Sequence, residues 1–554
     1  MINIYMPGGL LNIVAFGNQN VYLNGNPSKT FFKTTYKKYT NFGLQKFRVD
    51  FDGQRSLRMT ESSKFTFRMK RYAELLMDTY LVVQMPTIWS PIYPPQDASS
   101  NWAPYDFKWI DNLGTQMIEE VEISVGGQTI NRYSGGYLLA MVQRDFTKDK
   151  KELYNNMTGN VEELNDPANA DGKINAYPSA YYTGNPIGPE PSIRARKLYI
   201  PINFWFTLAA KMAFPLVALQ YNELEINITL RPIQELFVIR DVLDVSNDYP
   251  YIQANQNESL QQFNRFLQPP PDISLNYTDK RTNWNADIHL ISTYGFLTDD
   301  ESKVFASKEQ KYLFKSIYEW KYFNVTGNQR VKLDSTMGMV SSWMWYFQRS
   351  DINLRNEWSN YTNWPYKNIP QQAEYADSMG DWHVPTIGST FGPGYNPIDG
   401  QHTGITTSGV YNVENEKDIL MKLGILLDGK YRENVLDSGI YNYVEKYVRT
   451  SGNAPDGLYN YSFAIHNDPF DFQPSGAMNL SKFNDIQFEF QTYVPPLDSN
   501  AQFYTICDPS SGVIIGVNKP TWRIYNYNYN LTIHEERYNV LTFVGGNCGV
   551  MYAR

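Results

Sequence analysis

Apolar and polar residues alternate with a period of two at Phe65 to Met69, Val121 to Val125, Leu224 to Leu230 and Ile486 to Phe490. Successive side chains of a strand point to opposite faces, so this alternation predicts antiparallel strands with one wet face. Trp343 to Phe347 is apolar at every position and predicts a strand buried on both faces. Helical periodicity is scarce. Thr298 followed by Glu301 is a capping-box pattern that predicts a short helix with Val304 and Phe305 turned inward. A second short helix is expected near Tyr137 to Val142. Tyr525 to Asn530 alternates Tyr and Asn, which as a strand would put three rings on one face. The pattern as a whole predicts a mainly β fold.

Between the strands run long connections rich in Pro, Gly, Asn and Asp, over 86–104, 147–194, 231–283 and 349–415. Loops beyond about 12–15 residues are uncommon in compact domains, so these predict an elaborately decorated β scaffold. The two halves also repeat a plan. In the first, the strand ending at Val125 enters a Gly126-Gly127 turn, then come Tyr199 to Phe206, Pro215 to Ala218, Asn222-Glu223 and the strand from Leu224. In the second, the strand ending at Leu427 enters Asp428-Gly429, then come Leu458 to Phe463, Pro474 to Ala477, Asn484-Asp485 and the strand from Ile486. Two copies of one antiparallel sandwich joined by a short capped helix is the economical architecture.

Composition narrows the class. With 554 residues, 42 % hydrophobic and only 19 % charged, the chain is too apolar for disorder and long enough for several domains. Aromatics reach 15 %, which suits half-buried pleated surfaces. Lys and Arg number 49 against 57 Asp and Glu, so the chain lacks the basic balance of a nucleic-acid wrapper. No apolar run is long enough to span a bilayer, and the opening residues lack the basic segment of a signal peptide. Two cysteines, Cys507 and Cys548, give no disulfide framework and fit a reducing compartment.

Candidate chemistry is thin. The five histidines show no helical zinc spacing, and the nearest cluster, His534-Glu535-Glu536, reads as a solvated strand end. The glycine pairs lack the phosphate-cradling forms that open a helix and read as turns. Both cysteines read as buried, inert thiols. Lysines and aromatics interleave from Lys29 to Tyr39; in an acidic chain the rings Phe31, Phe32 and Tyr36 fit an apolar stripe for packing or subunit contact better than base stacking. Sequons at Asn156, Asn276 and Asn360 are candidate glycosylation sites. A carbohydrate-binding or carbohydrate-cleaving β sandwich, stacking sugars on Trp89, Trp102 or Trp109, is the alternative from another class.

Several islands carry a resemblance: Gly8 to Gly17, Asn20 to Pro27, Thr30 to Phe42, Val121 to Ile130, Pro215 to Glu225, Leu297 to Ala306, Gln473 to Phe483 and Tyr538 to Gly546. In this order they resemble the major capsid proteins of nucleocytoplasmic large DNA viruses. The resemblance implies two consecutive eight-stranded jelly rolls with long loop insertions and a few short helices. It places a basal arm at 1–21, the first jelly roll at 22–297, a connecting helix at 298–312 and the second jelly roll at 313–554. It implies a structural subunit of a virion capsid, not an enzyme, forming pseudo-hexagonal homotrimers that tile an icosahedral shell. A minor capsid or scaffold paralogue of the same fold is the nearer alternative. The implied partners are further copies of the chain, minor capsid proteins and an inner membrane near the arm, with Gly8, Gly9, Leu10, Phe31, Phe32 and Tyr36 as assembly residues. No cofactor, metal, small-molecule substrate or direct nucleic-acid contact is implied. Synthesis is expected in the host cytoplasm or a viral factory.

Overall fold

The computed structural model describes residues 17–53, 56–90, 105–173, 177–178, 180, 190–241, 251–258, 260–268, 284–334, 338–364, 367, 392–395, 402–407, 417–494, 504–507, 514–518 and 527–552. Gly8, Gly9, Leu10, Trp102 and Asn276 lie outside them. The chain divides into two compact units, Met1–Phe42 and Gly43–Arg554. In the first, Asn20–Leu23 forms a single helical turn, and the rings of Phe31, Phe32 and Tyr36 are exposed.

In the second unit, two sets of strands follow one another along the chain. The first set is β1 (Phe42–Val49, which begins on the last residue of the arm unit), β2 (Ser63–Met69), β3 (Leu75–Gln84), β4 (Ile118–Val125), β5 (Gln128–Ser134), β6 (Lys197–Pro201), β7 (Leu224–Leu230) and β8 (His289–Leu297). They form two sheets, ordered β1-β8-β3-β6 and β2-β7-β4-β5. The second set is β9 (Gln310–Tyr322), β10 (Asn328–Lys332), β11 (Met339–Arg349), β12 (Leu420–Leu427), β13 (Lys430–Asp437), β14 (Leu458–Ser462), β15 (Ile486–Thr492) and β16 (Tyr529–Val544). Their sheets run β9-β16-β11-β14 and β10-β15-β12-β13, the same order again. Two four-stranded sheets connected in this order make a jelly roll, and the chain contains two.

The predicted alternation holds. β7 and β15 bury every second residue, and the apolar rows of facing sheets meet inside each sandwich. In the second sandwich Trp343 and Trp345 from β11 set their rings edge-on to Phe488 from β15, at 5.2 and 5.4 Å between centroids. Trp343 to Phe347 is buried throughout, as its unbroken apolar run predicts.

The repeated plan is visible in the backbone. Gly126-Gly127 and Asp428-Gly429 close the β4–β5 and β12–β13 hairpins with positive φ at both turn residues, the geometry that matches strand twist. Gly126 N donates to Glu223 O at 3.2 Å, and Asp428 N donates to Asp485 O at 2.7 Å, the same bond in both halves. Before β7, Phe214–Pro215 pairs with β3 and leads into a 3-10 turn at Leu216–Ala218; before β15, Met478–Asn479 pairs with β11 and leads into one at Leu480–Lys482. The counterpart of 215–218 is therefore 479–482 rather than the Pro474 to Ala477 of the sequence reading.

Three helices matter below: α1 (Gly135–Asp145), α2 (Lys148–Thr158) and α3 (Asp299–Ser307). α1 covers the helix expected near Tyr137, with the Ser134 hydroxyl accepting from Tyr137 N at 3.2 Å. α3 starts after Thr298 as predicted, yet Thr298 makes no side-chain cap bond, Val304 is exposed and Phe305 is only half-buried. Three acidic residues in its first turn favour the helix N-terminus instead. The loops build structure of their own. Phe107–Trp109, Phe237–Arg240 and Tyr251–Ile252 form a three-stranded sheet whose rings pack on Phe263 and Trp284. Among the described residues, no helix is long and apolar enough to cross a membrane.

Candidate functional site

The two sandwiches meet along a seam, and its centre is charged. α1 leaves the end of β5 and lays its last turn against β16, β11 and β14 of the second sandwich. There Arg144, almost fully buried, uses all of its donor groups. Nε and Nη2 grip the Asp145 carboxylate at 2.7 and 2.8 Å, Nη2 also reaches Glu536 Oε1 at 2.9 Å, and Nη1 reaches Ser342 Oγ at 3.2 Å and Asn460 Oδ1 at 3.4 Å. Glu536 is as fully engaged. Its Oε1 also accepts from Tyr137 Oη at 2.9 Å, and its Oε2 accepts from Lys315 Nζ at 3.0 Å and Ser342 Oγ at 2.9 Å. Burial alone would push the Glu536 carboxyl up; the Arg144 and Lys315 cations outweigh it and hold the group well below the usual carboxylate range. For Asp145, burial wins and its carboxyl is raised despite Arg144.

Beside this cluster, His534 is fully buried between the rings of Tyr137 and Tyr346, each 5.6 Å away by centroid. Neither ring nitrogen has a hydrogen-bond partner, and Nδ1 lies 3.3 Å from Glu319 Oε2. Burial depresses the imidazole below its ordinary value against the pull of Glu319, which favours its neutral form. Glu535 points the other way, as period two requires, and accepts from Trp343 Nε1 at 2.6 Å inside the second sandwich. The expectation of a solvated strand end is thereby overturned: all three side chains are buried in the middle of β16. Charged residues read as solvent-facing unless their partners are known, and apart from Arg537, which pairs with Glu535 on the same strand, these partners are distant in sequence.

The seam continues on both sides of the cluster. Gly452 N donates to Arg144 O at 2.9 Å, and a Cβ on Gly452 would stand 2.4 Å from that oxygen, so only glycine fits the approach. Trp205 and Phe314 pack at 4.5 Å, Phe214 and Phe543 at 5.1 Å, and Trp358 Nε1 donates to Glu235 O at 2.9 Å. One hydrophobic core runs through the first sandwich and takes in Phe314, Met344, Tyr346, Leu541 and Phe543 of the second. A cavity of about 70 Å³ adjoins the charged cluster, lined by Tyr137, Asp145, Trp205, Lys315 and Glu536.

Each charge here is neutralised by another side chain, which makes the arrangement a fastener rather than a reaction centre. Among the described residues no group of His, Cys, Asp and Glu could hold a metal ion. Cys548 is buried, and burial pushes its thiol up to about 12, as expected of an inert cysteine. Trp109 is buried among Phe107, Phe237 and Trp284, so it offers no sugar platform. Asn360 corrects one glycosylation expectation: it is buried, Nδ2 donates to Trp364 O at 2.8 Å and Oδ1 accepts from Thr362 N at 3.0 Å, so its amide already holds a loop. Asn156 is exposed on α2.

Two jelly rolls in tandem, locked by a buried seam, define a structural subunit of the double jelly-roll class. Two family models match, the major capsid protein N-terminus over residues 30–267 and the large eukaryotic DNA virus major capsid protein over 301–549. The major capsid protein of Phaeocystis pouchetii virus is 25 % identical, covering 99 % of this chain and 100 % of its own. That of Paramecium bursaria Chlorella virus 1 is 22 % identical over 99 % and 100 %. Among solved structures, the quasi-atomic PBCV-1 capsid aligns over 95 % of this chain and 100 % of its own at 19 % identity with a TM-score of 0.59, and the Faustovirus major capsid protein over 93 % of each at 12 % with 0.58. The chain belongs to the major capsid protein family of large eukaryotic DNA viruses. Its function is that of a structural subunit of the virion capsid, and its relatives are shell proteins, not enzymes.

Proposed function

We propose that three copies of the chain form a pseudo-hexagonal capsomer and that such capsomers tile an icosahedral shell. The observation that carries this reading is the seam: it fuses two sandwiches of one plan into one body, so three chains supply six similar wall segments. A head-to-tail contact between such bodies closes into a ring when its rotation allows. In this reading the arm, Met1 to Val21, lies at the base against minor capsid proteins and the inner membrane, with Gly8, Gly9 and Leu10 in its seat. Phe31, Phe32 and Tyr36 belong to the same seat; large rings left open on a single chain mark surfaces that assembly covers. Asn156 and Asn276 are the remaining glycan acceptors. Synthesis in the host cytoplasm or a viral factory suits a chain in which Cys548 is a free thiol.

Light scattering on the purified full chain tests the central claim. A stable species of about 192 kDa, three times the 64.1 kDa chain, is expected. A folded monomer as the only species would overturn it. Substituting Phe31, Phe32 and Tyr36 together by Ser should leave the melting temperature of the body unchanged while particle assembly fails.

A further inference from the structure

The charges of the chain are not spread evenly along it. Residues 1–49 hold six basic residues and no acidic one, whereas 43 basic and 57 acidic residues follow. Among the described residues, the ion pairs of this opening stretch belong to Lys46 and Arg48 of β1, which meet Asp78, Asp50 and Asp287. None involves the other four cations, Lys29, Lys33, Lys37 and Lys38, which lie in the arm unit and are all exposed.

Four rings are interleaved with these lysines. Phe31, Phe32, Tyr36 and Tyr39 are 88, 99, 88 and 85 % exposed. No two of them stack on each other; Tyr39 has Phe42 at 6.4 Å between centroids, and Lys29 Nζ stands 5.1 Å from the Phe31 centroid. Residues 29–39 form neither helix nor strand. The rings therefore make no common platform, on which bases would stack, and no single apolar face, which a protein groove would read. A lipid interface asks for neither. Aromatic rings enter the headgroup layer one by one, while lysines keep their ammonium groups among the phosphates.

We infer that residues 29–39 seat the chain on an anionic lipid surface, the rings in the headgroup layer and the four lysines on its phosphates. The inference rests on the reading of the arm as a basal seat and names the chemistry that the seat recognises. The acidic excess of residues 50–554 orients the chain, because the surface that attracts the arm repels the body. Copies related by one rotation axis present their arms on the same side. A trimer thus binds through three linked attachments where a single chain has one, so the surface retains capsomers far better than unassembled chains.

Flotation of the full chain with phosphatidylcholine vesicles, with and without phosphatidylserine, tests the seat. At least about tenfold more protein should float with the anionic vesicles, and raised salt should release it. The variant Lys33→Glu, Lys37→Glu, Lys38→Glu changes exposed residues only, so it should melt like the parent and fail to float. Equal flotation of the parent on both vesicles, no flotation of the parent, or flotation of the variant like the parent would each overturn the lipid seat. Complete displacement of the parent from anionic vesicles by a DNA duplex at equal phosphate concentration would overturn it too, making nucleic acid the partner. The basal-seat reading fails separately, if particles assemble normally with Phe31, Phe32 and Tyr36 replaced by Ser.

Discussion

Arg144 and Glu536 lie 392 positions apart in sequence and 2.9 Å apart in space, and their contact joins the helix that leaves the first sandwich to the last long strand of the second. Removing one partner of a buried pair leaves the other charged and desolvated. Arg144→Ala should therefore cost about 3–5 kcal/mol in urea unfolding. Combined with Glu536→Gln, the loss should fall short of the two single losses added by about 1–3 kcal/mol, the mark of direct coupling.

His534 predicts a pH dependence with a definite sign. Burial lowers the pKa of its imidazole in the folded chain, so folding favours the neutral form. Its contribution is complete above the unfolded value of about 6.5 and is lost as pH falls below it. Asp106 and Glu357, raised by burial to about 6 and about 7, act in the opposite sense. The comparison is thus between parent and His534→Phe: the parent should lose more stability than the variant between pH 7 and 5. Parallel stability curves would refute the assignment.

Trp343 serves Glu535 as well as the core. Trp343→Phe keeps most of the ring and removes the donor, leaving a buried carboxylate short of one bond, so a loss of about 1–3 kcal/mol is expected. Trp343→Ala adds a cavity and should cost about 3–5 kcal/mol. Denaturant midpoints of the two variants separate the polar contribution from the packing one.

Gly452→Ala places a methyl group against the Arg144 carbonyl. The backbones must part, and a destabilisation of about 1–3 kcal/mol is expected from the overpacking. Alanine at Gly429, whose position has open space, should cost less, its effect being confined to the positive φ. Thermal melts of both variants check the order.

The strands were legible because a half-buried sheet writes its two faces into adjacent residues, as in Leu224 to Leu230. The repeat was legible because hairpin turns with positive φ restrict residue choice, as at Gly126-Gly127 and Asp428-Gly429. The seam was not. Nothing near His534, Glu535 or Glu536 announces that Arg144, Lys315 and Trp343 will neutralise or bond them, since those residues come from other elements. Val304 failed for a related reason: helical spacing marks a face, and the helix α3 has no buried residue for that face to join. The family resemblance supplied what periodicity lacked, the jelly-roll class of each sandwich.

The paired latch, Gly126 N to Glu223 O and Asp428 N to Asp485 O, bears on the history of the chain. A Cβ at 126 would strike the Asn222 side chain at 2.6 Å, whereas at 428 the side chain is used, its Oδ1 accepting from Asn484 N and Asp485 N at 2.9 Å each. An ancestral single roll, copied once, would keep the main-chain bond while each copy found its own side-chain solution around it. The two halves share this joint in backbone hydrogen bonds even where their residues differ, so the equivalence of the two rolls is read more surely from such joints than from residue identity.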